Sequence, residues 1–166
     1  MDDQFFMRHA LQEARRALSA GEFPVGCIIV HKDCIVARGA RRGSRSKHSS
    51  EIDHAEMVAL RRLASLEDDI AREELVVYST MEPCLMCFAA LALNRIGKVV
   101  YAYEDVMGGG TSCDMGSLPR LYRTLEPVVV GGVLRSESLA LFQSFFTDPD
   151  NDYWKGSLLA TYTVAQ

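Results

Sequence analysis

The chain has 166 residues, 48% of them apolar and 24% charged, with a formal net charge of −4. These values describe one globular domain and exclude a disordered chain or a uniformly basic nucleic-acid-binding surface. No apolar run approaches the roughly 18 residues that span a bilayer. The opening MDDQFFMRHALQEARRAL is acidic first and charged every few positions, unlike a signal or transit peptide, so a soluble cytoplasmic protein is expected.

Phe6, Ala10, Ala14, Ala17 and Leu18 recur at helical spacing over residues 3–20, and Gly21 supplies a stop. VGCIIVHKDCIVARGA (25–40) reads as two strands joined by a turn at Lys32-Asp33. A basic stretch follows, carrying Arg41, Arg42, Arg45 and Lys47 with Arg38 just ahead of it. It leads to His54, where Ala55, Val58, Ala59, Leu63 and Leu66 begin a second helical pattern. ELVVYST (74–80) is a strand, CLMCFAALALNRIG (84–97) a helix closed by Gly97, and KVVYAY (98–103) another strand. After the loop MGGGTS come a last strand, PVVVGGVL (127–134), and a last strong helix, SESLALFQSFF (136–146). Helices alternating with strands after an opening hairpin predict an α/β fold with a mixed sheet of about five strands flanked by helices. The whole chain, 1–166, is expected to be a single domain, with a core over 1–146 and a tail over 147–166.

Five cysteines, an odd number in a chain without an export signal, argue against a disulfide framework. Two of them stand in STMEPCLMC (79–87), where Pro83 is expected to open the helix. Cys84 and Cys87 then share its first turn at i and i+3, where free N–H groups and the helix dipole favour thiolates. His54, at another expected helix start, is the best third donor; His9, His31 and His48 are worse placed. Three protein ligands with the fourth position open to water form the catalytic zinc pattern. Glu56, two residues past His54, is positioned to carry protons. The competing readings are buried core cysteines, a redox pair, or a structural zinc knot completed by Cys27, Cys34 or Cys113. Neither of the first two accounts for the His-x-Glu upstream.

HAE (54–56) followed by PCLMC (83–87) matches the H-x-E…P-C-x-x-C signature of zinc nucleobase deaminases. MEPCLMC resembles the form found in bacterial tRNA-wobble adenosine deaminases and guanine deaminases. FPVGCIIV (23–30) and NRIGKVVYA (94–102) resemble two further segments of that group, within the cytidine and deoxycytidylate deaminase superfamily. The resemblance runs from about residue 5 to residue 146 and implies a cytidine-deaminase-like three-layer α-β-α sandwich. It assigns one zinc ion per chain to His54, Cys84 and Cys87, and proton transfer to Glu56. Val25, Arg41, Ala55 and Pro83 fall at substrate-binding positions. It also implies hydrolytic replacement of an exocyclic amino group by a carbonyl with release of ammonia, and a homodimer.

Two departures from the pattern bear on the substrate. These enzymes usually carry an asparagine after the second strand's glycine, whereas GARRGS (39–44) puts Arg41 there, and no asparagine occurs before Asn94. The basic C-terminal helix of many tRNA enzymes is replaced by an acidic, then apolar tail. The expected substrate is therefore a small nucleobase or nucleoside, with a purine favoured. The alternatives are the wobble adenosine of tRNA and a non-catalytic zinc-stapled binding module. The basic stretch reads either as solvated surface or as a phosphate contact. Phe145, Phe146, Tyr153 and Trp154 read as core or dimer contacts rather than a stacking platform. Asp114 reads as a turn residue with only a weak claim on a base amino group.

Overall fold

Helix α1 (Asp3–Ser19) starts where the Asp2 carboxylate accepts the Gln4 N–H, and ends at Gly21. Gly21 has φ +75° while Glu22 N–H returns to the Ala17 carbonyl, the closure that a left-handed glycine permits. This computed structural model describes residues 2–45, 50–66 and 70–166; Lys47 and His48 of the basic stretch lie outside the described residues.

β1 (Gly26–His31) and β2 (Cys34–Ala40) form an antiparallel hairpin with a two-residue turn at Lys32-Asp33. Both turn residues have positive φ, 46° and 65°, as a mirror-image turn matching the strand twist demands. Neither is glycine. Asp33→Gly should therefore raise stability by about 1 kcal/mol, read as an increase in Tm of about 2–4 °C; an unchanged or lower Tm would contradict the strain ascribed to this turn. A bulge follows, since Val30 faces Ile35 but Ile29 faces Ala37.

β3 (Leu75–Met81), β4 (Lys98–Tyr103) and β5 (Val128–Val130) complete one sheet in the order β2-β1-β3-β4-β5. β1 runs antiparallel to both neighbours, whereas β3, β4 and β5 are mutually parallel. Alternation sorts the side chains by face. Ile28, Val30, Val76, Tyr78, Val100 and Ala102 pack on Phe6, Met7, Ala10 and Leu11 of α1. Cys27, Ile29, Leu75, Val77 and Val99 face the other way, towards α2 (Ala55–Ala64) and α3 (Leu85–Leu93). Tyr78 donates to the Asp3 carboxylate at 2.8 Å and Lys98 pairs with it, pinning the start of α1 to the sheet. A short α4 (Arg120–Arg123) precedes β5, and α5 (Arg135–Thr147) follows it. Helices on both faces of a mixed five-stranded sheet are the expected α/β architecture. No helix among the described residues is long and apolar enough to cross a membrane.

Two elements, α3 at both of its ends and β5, differ from the sequence-based expectation. Pro83 does not open α3: its carbonyl accepts the Gly110 N–H, and Cys84 pairs as a bridge with Gly109, so the chain stays extended until Leu85. The same helix stops at Leu93 rather than running to Gly97. Arg95 takes the left-handed position (φ 57°) and Ile96 N–H returns to the Leu91 carbonyl. β5 spans three residues because Gly132, at φ +83°, turns the chain away. Beyond these, the tail forms a helix of its own, α6 (Leu158–Val164), capped by Ser157 and packed on α5.

Candidate active site

Two helix starts and one strand end meet on the α2–α3 side of the sheet. Gly39 makes this possible on the β2 side: a Cβ there would lie 2.0 Å from the Ala55 carbonyl oxygen, so only glycine lets the first turn of α2 sit against the strand. Gly110 does the same for α3, where a Cβ would lie 2.6 Å from the Leu85 backbone. His54 is consequently the N-cap of α2, Cys84 the N-cap of α3, and Cys87 lies in α3's first turn.

His54 Nδ1 lies 3.5 Å from both Cys84 Sγ and Cys87 Sγ, and the three donor atoms all lie within 4.8 Å of one another. A tetrahedral zinc with sulfur at about 2.3 Å and nitrogen at about 2.0 Å separates those atoms by about 3.5 Å. The donor set fits that ion in chemistry and spacing. No fourth His, Cys, Asp or Glu joins the group among the described residues. Cys27 is wholly buried in the core, as expected of a strand cysteine, Cys34 is exposed, and Cys113 is half-buried. Among the described residues a structural knot with four protein ligands thus lacks its fourth member.

The two thiols divide one charge. The hydrogen bond from Cys87 holds the Cys84 thiol well below its usual range, with His54 adding to the effect against burial. The same contact, burial and the nearby Glu56 push Cys87 up. Burial would lower His54, but the Cys84 contact and the charge of Glu56 outweigh it and raise its pKa.

Glu56 is 3% exposed. One oxygen accepts from Ser79 Oγ at 2.8 Å and the other lies 3.6 Å from Cys87 Sγ. Burial raises its pKa, partly offset by hydrogen bonds from its own backbone N–H and from Ser79 and by the charge of His54. A carboxyl in that state can both accept and return a proton.

These groups open into a cavity of about 320 Å³. Phe23, Val25, Met81 and Leu159 supply apolar wall, His54, Ala55, Glu56 and Cys84 the reactive end. The tail supplies Tyr153 and Trp154, the latter at φ 54°, a costly conformation for a bulky residue. Three more carboxylates line the space, Glu51, Glu82 and Asp105, the last raised by burial. Arg41 is the single Lys or Arg lining the cavity among the described residues. It is 2% exposed, donating to the Arg42 and Asp53 carbonyls, to Glu51 at 3.4 Å and to Tyr153 Oη at 3.3 Å.

Of the residues singled out from sequence, His54, Ala55, Glu56, Cys84, Val25 and Arg41 border the cavity, and Cys87 sits behind it. Pro83 does not line it. Asp114 caps a short 3-10 turn by accepting the Gly116 N–H. The remaining described arginines of the basic stretch diverge: Arg38 pairs with Glu13, Arg45 donates to the Ala20 carbonyl, and Arg42 is exposed. Phe145 belongs to the core against Phe23. Sequence reasoning missed Ser79, Glu51, Glu82 and Asp105. Only Ser79 had a signal, being a polar residue on the same strand face as Val77 and Met81.

Residues 1–103 match the profile of the cytidine and deoxycytidylate deaminase zinc-binding region. The tRNA-specific adenosine deaminase of Bacillus subtilis is 32% identical over 146 residues, covering 88% of this chain and 89% of that protein. That of Aquifex aeolicus is 37% identical over 110 residues, covering 66% and 72%. A solved structure from work on A-to-I editing by tRNA:A34 deaminases superposes with a TM-score of 0.67 at 30% identity, covering 80% of this chain and 100% of that one. A guanine deaminase from Nitrosomonas europaea shares the fold, with a TM-score of 0.63 at 22% identity, covering 84% and 81%. By matched profile, relatives and fold, this chain belongs to the cytidine and deoxycytidylate deaminase family and is a zinc-dependent hydrolytic deaminase of a nucleobase or nucleoside.

Proposed function

We propose that the substrate is an uncharged purine, taken as free base or nucleoside, and that His54, Cys84 and Cys87 hold the zinc. The observation that carries the substrate class is the charge balance of the cavity. Four carboxylates line it, and the single guanidinium already serves two carbonyls, Glu51 and Tyr153. A phosphate brought there meets like charge and, among the described residues, no uncommitted cation, whereas carboxylates accept hydrogen bonds from amino and ring N–H groups. Among the described residues the scattered arginines likewise leave no basic stripe to track a nucleic-acid backbone. Purine is favoured because relatives named for adenosine match over most of the chain.

Zinc bound at the three donors supplies a Lewis acid that brings the pKa of water to about 7. The chain does the rest. Phe23, Val25 and the Tyr153–Trp154 turn enclose the heterocycle and exclude bulk water. Glu56, steadied by Ser79, takes a proton from the attacking water. It returns that proton to the ring nitrogen beside the reacting carbon, then takes the remaining proton of the hydroxyl added to that carbon and passes it to the amino group, which leaves as ammonia. The carbon–nitrogen bond breaks and a carbonyl remains.

A second reading is the wobble adenosine of tRNA, favoured by the 32% identity with the Bacillus subtilis protein. Ammonia release from adenine, guanine, adenosine, guanosine, their 5′-monophosphates and an anticodon stem-loop separates the two. Nucleosides or bases should exceed the monophosphates in kcat/KM by at least about tenfold, the equivalent of one lost charge contact. Turnover of the stem-loop alone would establish the tRNA reading instead. The unpaired cysteines fit a reducing cytoplasm, and the apolar face of α3, with Leu85 and Leu93 exposed, fits a second copy of the chain.

A further inference from the structure

The loop before α2 and the C-terminal tail meet on the outer side of His54. If Nδ1 points at the two sulfurs, the ring's proton belongs on Nε2, and Nε2 lies 3.4 Å from Glu51 Oε2. That carboxylate is gripped from two sides. Tyr153 Oη donates to it at 3.2 and 3.1 Å, and Arg41, itself buried, reaches it at 3.4 Å. Arg41 also donates to Tyr153 Oη and lies 5.7 Å from that ring's centre. A tail residue 99 positions beyond His54 in sequence (153 − 54) is thus linked to the far nitrogen of the histidine through one carboxylate.

We infer that Glu51 is a positioning residue for His54, orienting its ring through Nε2, and that the docked tail completes this support through Tyr153. The inference rests on His54 being a zinc ligand. A carboxylate on the outer nitrogen of a ligating histidine fixes its tautomer and orientation and raises its basicity. Arg41 then has a physical purpose other than gripping substrate. It balances Glu51 and holds Tyr153, so the arginine that stands where relatives of this type carry asparagine serves the metal's surroundings. Closure of the cavity by the tail and tight metal binding become one event.

Competition between zinc-loaded protein and a chromophoric chelator tests this. Glu51→Gln should bind zinc about 10–100-fold more weakly than the unaltered chain. Tyr153→Phe should weaken zinc in the same direction by about threefold or more, and add nothing once Glu51 is already Gln, because the two act through one link. Thermal unfolding of the chelator-stripped proteins should show a smaller loss of Tm for Glu51→Gln, from its contact with buried Arg41 alone, than the zinc-loaded proteins show. Zinc affinity of Glu51→Gln within about twofold of the original would overturn the inference. So would a Tyr153→Phe effect that persists in full in the Gln background, or a stripped Glu51→Gln that is destabilised as much as the loaded one. Undiminished zinc affinity in His54→Ala would instead remove the ligand assignment itself, which keeps the two failures apart.

Discussion

Glu56→Gln is expected to keep one zinc per chain and to lose turnover by about 10²–10⁴-fold. Gln preserves volume and can still accept from Ser79 Oγ, which now bonds Glu56 at 2.8 Å, so folding and metal binding should be spared. What disappears is the capacity to take and return a proton. The loss should fall on kcat more than on KM, since the carboxyl sits at the reactive end of the cavity rather than along its apolar wall. Zinc content by atomic absorption and steady-state ammonia release together decide it. Turnover within about tenfold of the original would withdraw the proton-carrying role from Glu56.

Removal of the metal should have the second large effect. At zinc concentrations near 1,000 times its dissociation constant, binding to the folded chain alone contributes about 4 kcal/mol, equivalent to about 8–16 °C in Tm for a chain of this size. Cys84 caps α3, Cys87 lies in its first turn and His54 caps α2, so an ion held by the three would join α2 to α3 at their N-termini. Cys87→Ser should behave as the stripped protein does, with zinc lost on dialysis and a similarly lowered Tm. Chelation that leaves Tm unchanged would mean that the ion contributes nothing to holding these helices together.

Much of the fold was legible because it is local. Period-3.6 apolar spacing marks α1 and α2, and alternation with turn residues marks the β1–β2 hairpin and its Lys32-Asp33 turn. The reactive group was legible for a related reason. His54 with Glu56, and Cys84 with Cys87, are short-range patterns at helix starts, where backbone geometry places side chains reproducibly. The boundaries that strayed belong to non-local partners. Pro83 and Cys84 stay extended because Gly109 and Gly110 pair with them, and β5 is cut short by the turn at Gly132.

By itself the sequence pointed to the class of chemistry, through a histidine, two cysteines and a glutamate arranged in the signature of zinc nucleobase deaminases. Tertiary structure decided what surrounds that centre. Arg41 reads in sequence as a substrate-binding position within a basic run, solvated or phosphate-contacting; it is buried, because Glu51, Tyr153 and two backbone carbonyls satisfy the guanidinium inside the fold. Glu51, Glu82 and Asp105 come from three separate loops with no shared period, and only chain packing brings their charges to one cavity. The tail's place beside Glu51 and His54 rests on hydrogen bonds spanning about a hundred residues. No local pattern encodes such a contact, because its energy arises only once the sheet has brought both ends of the chain together.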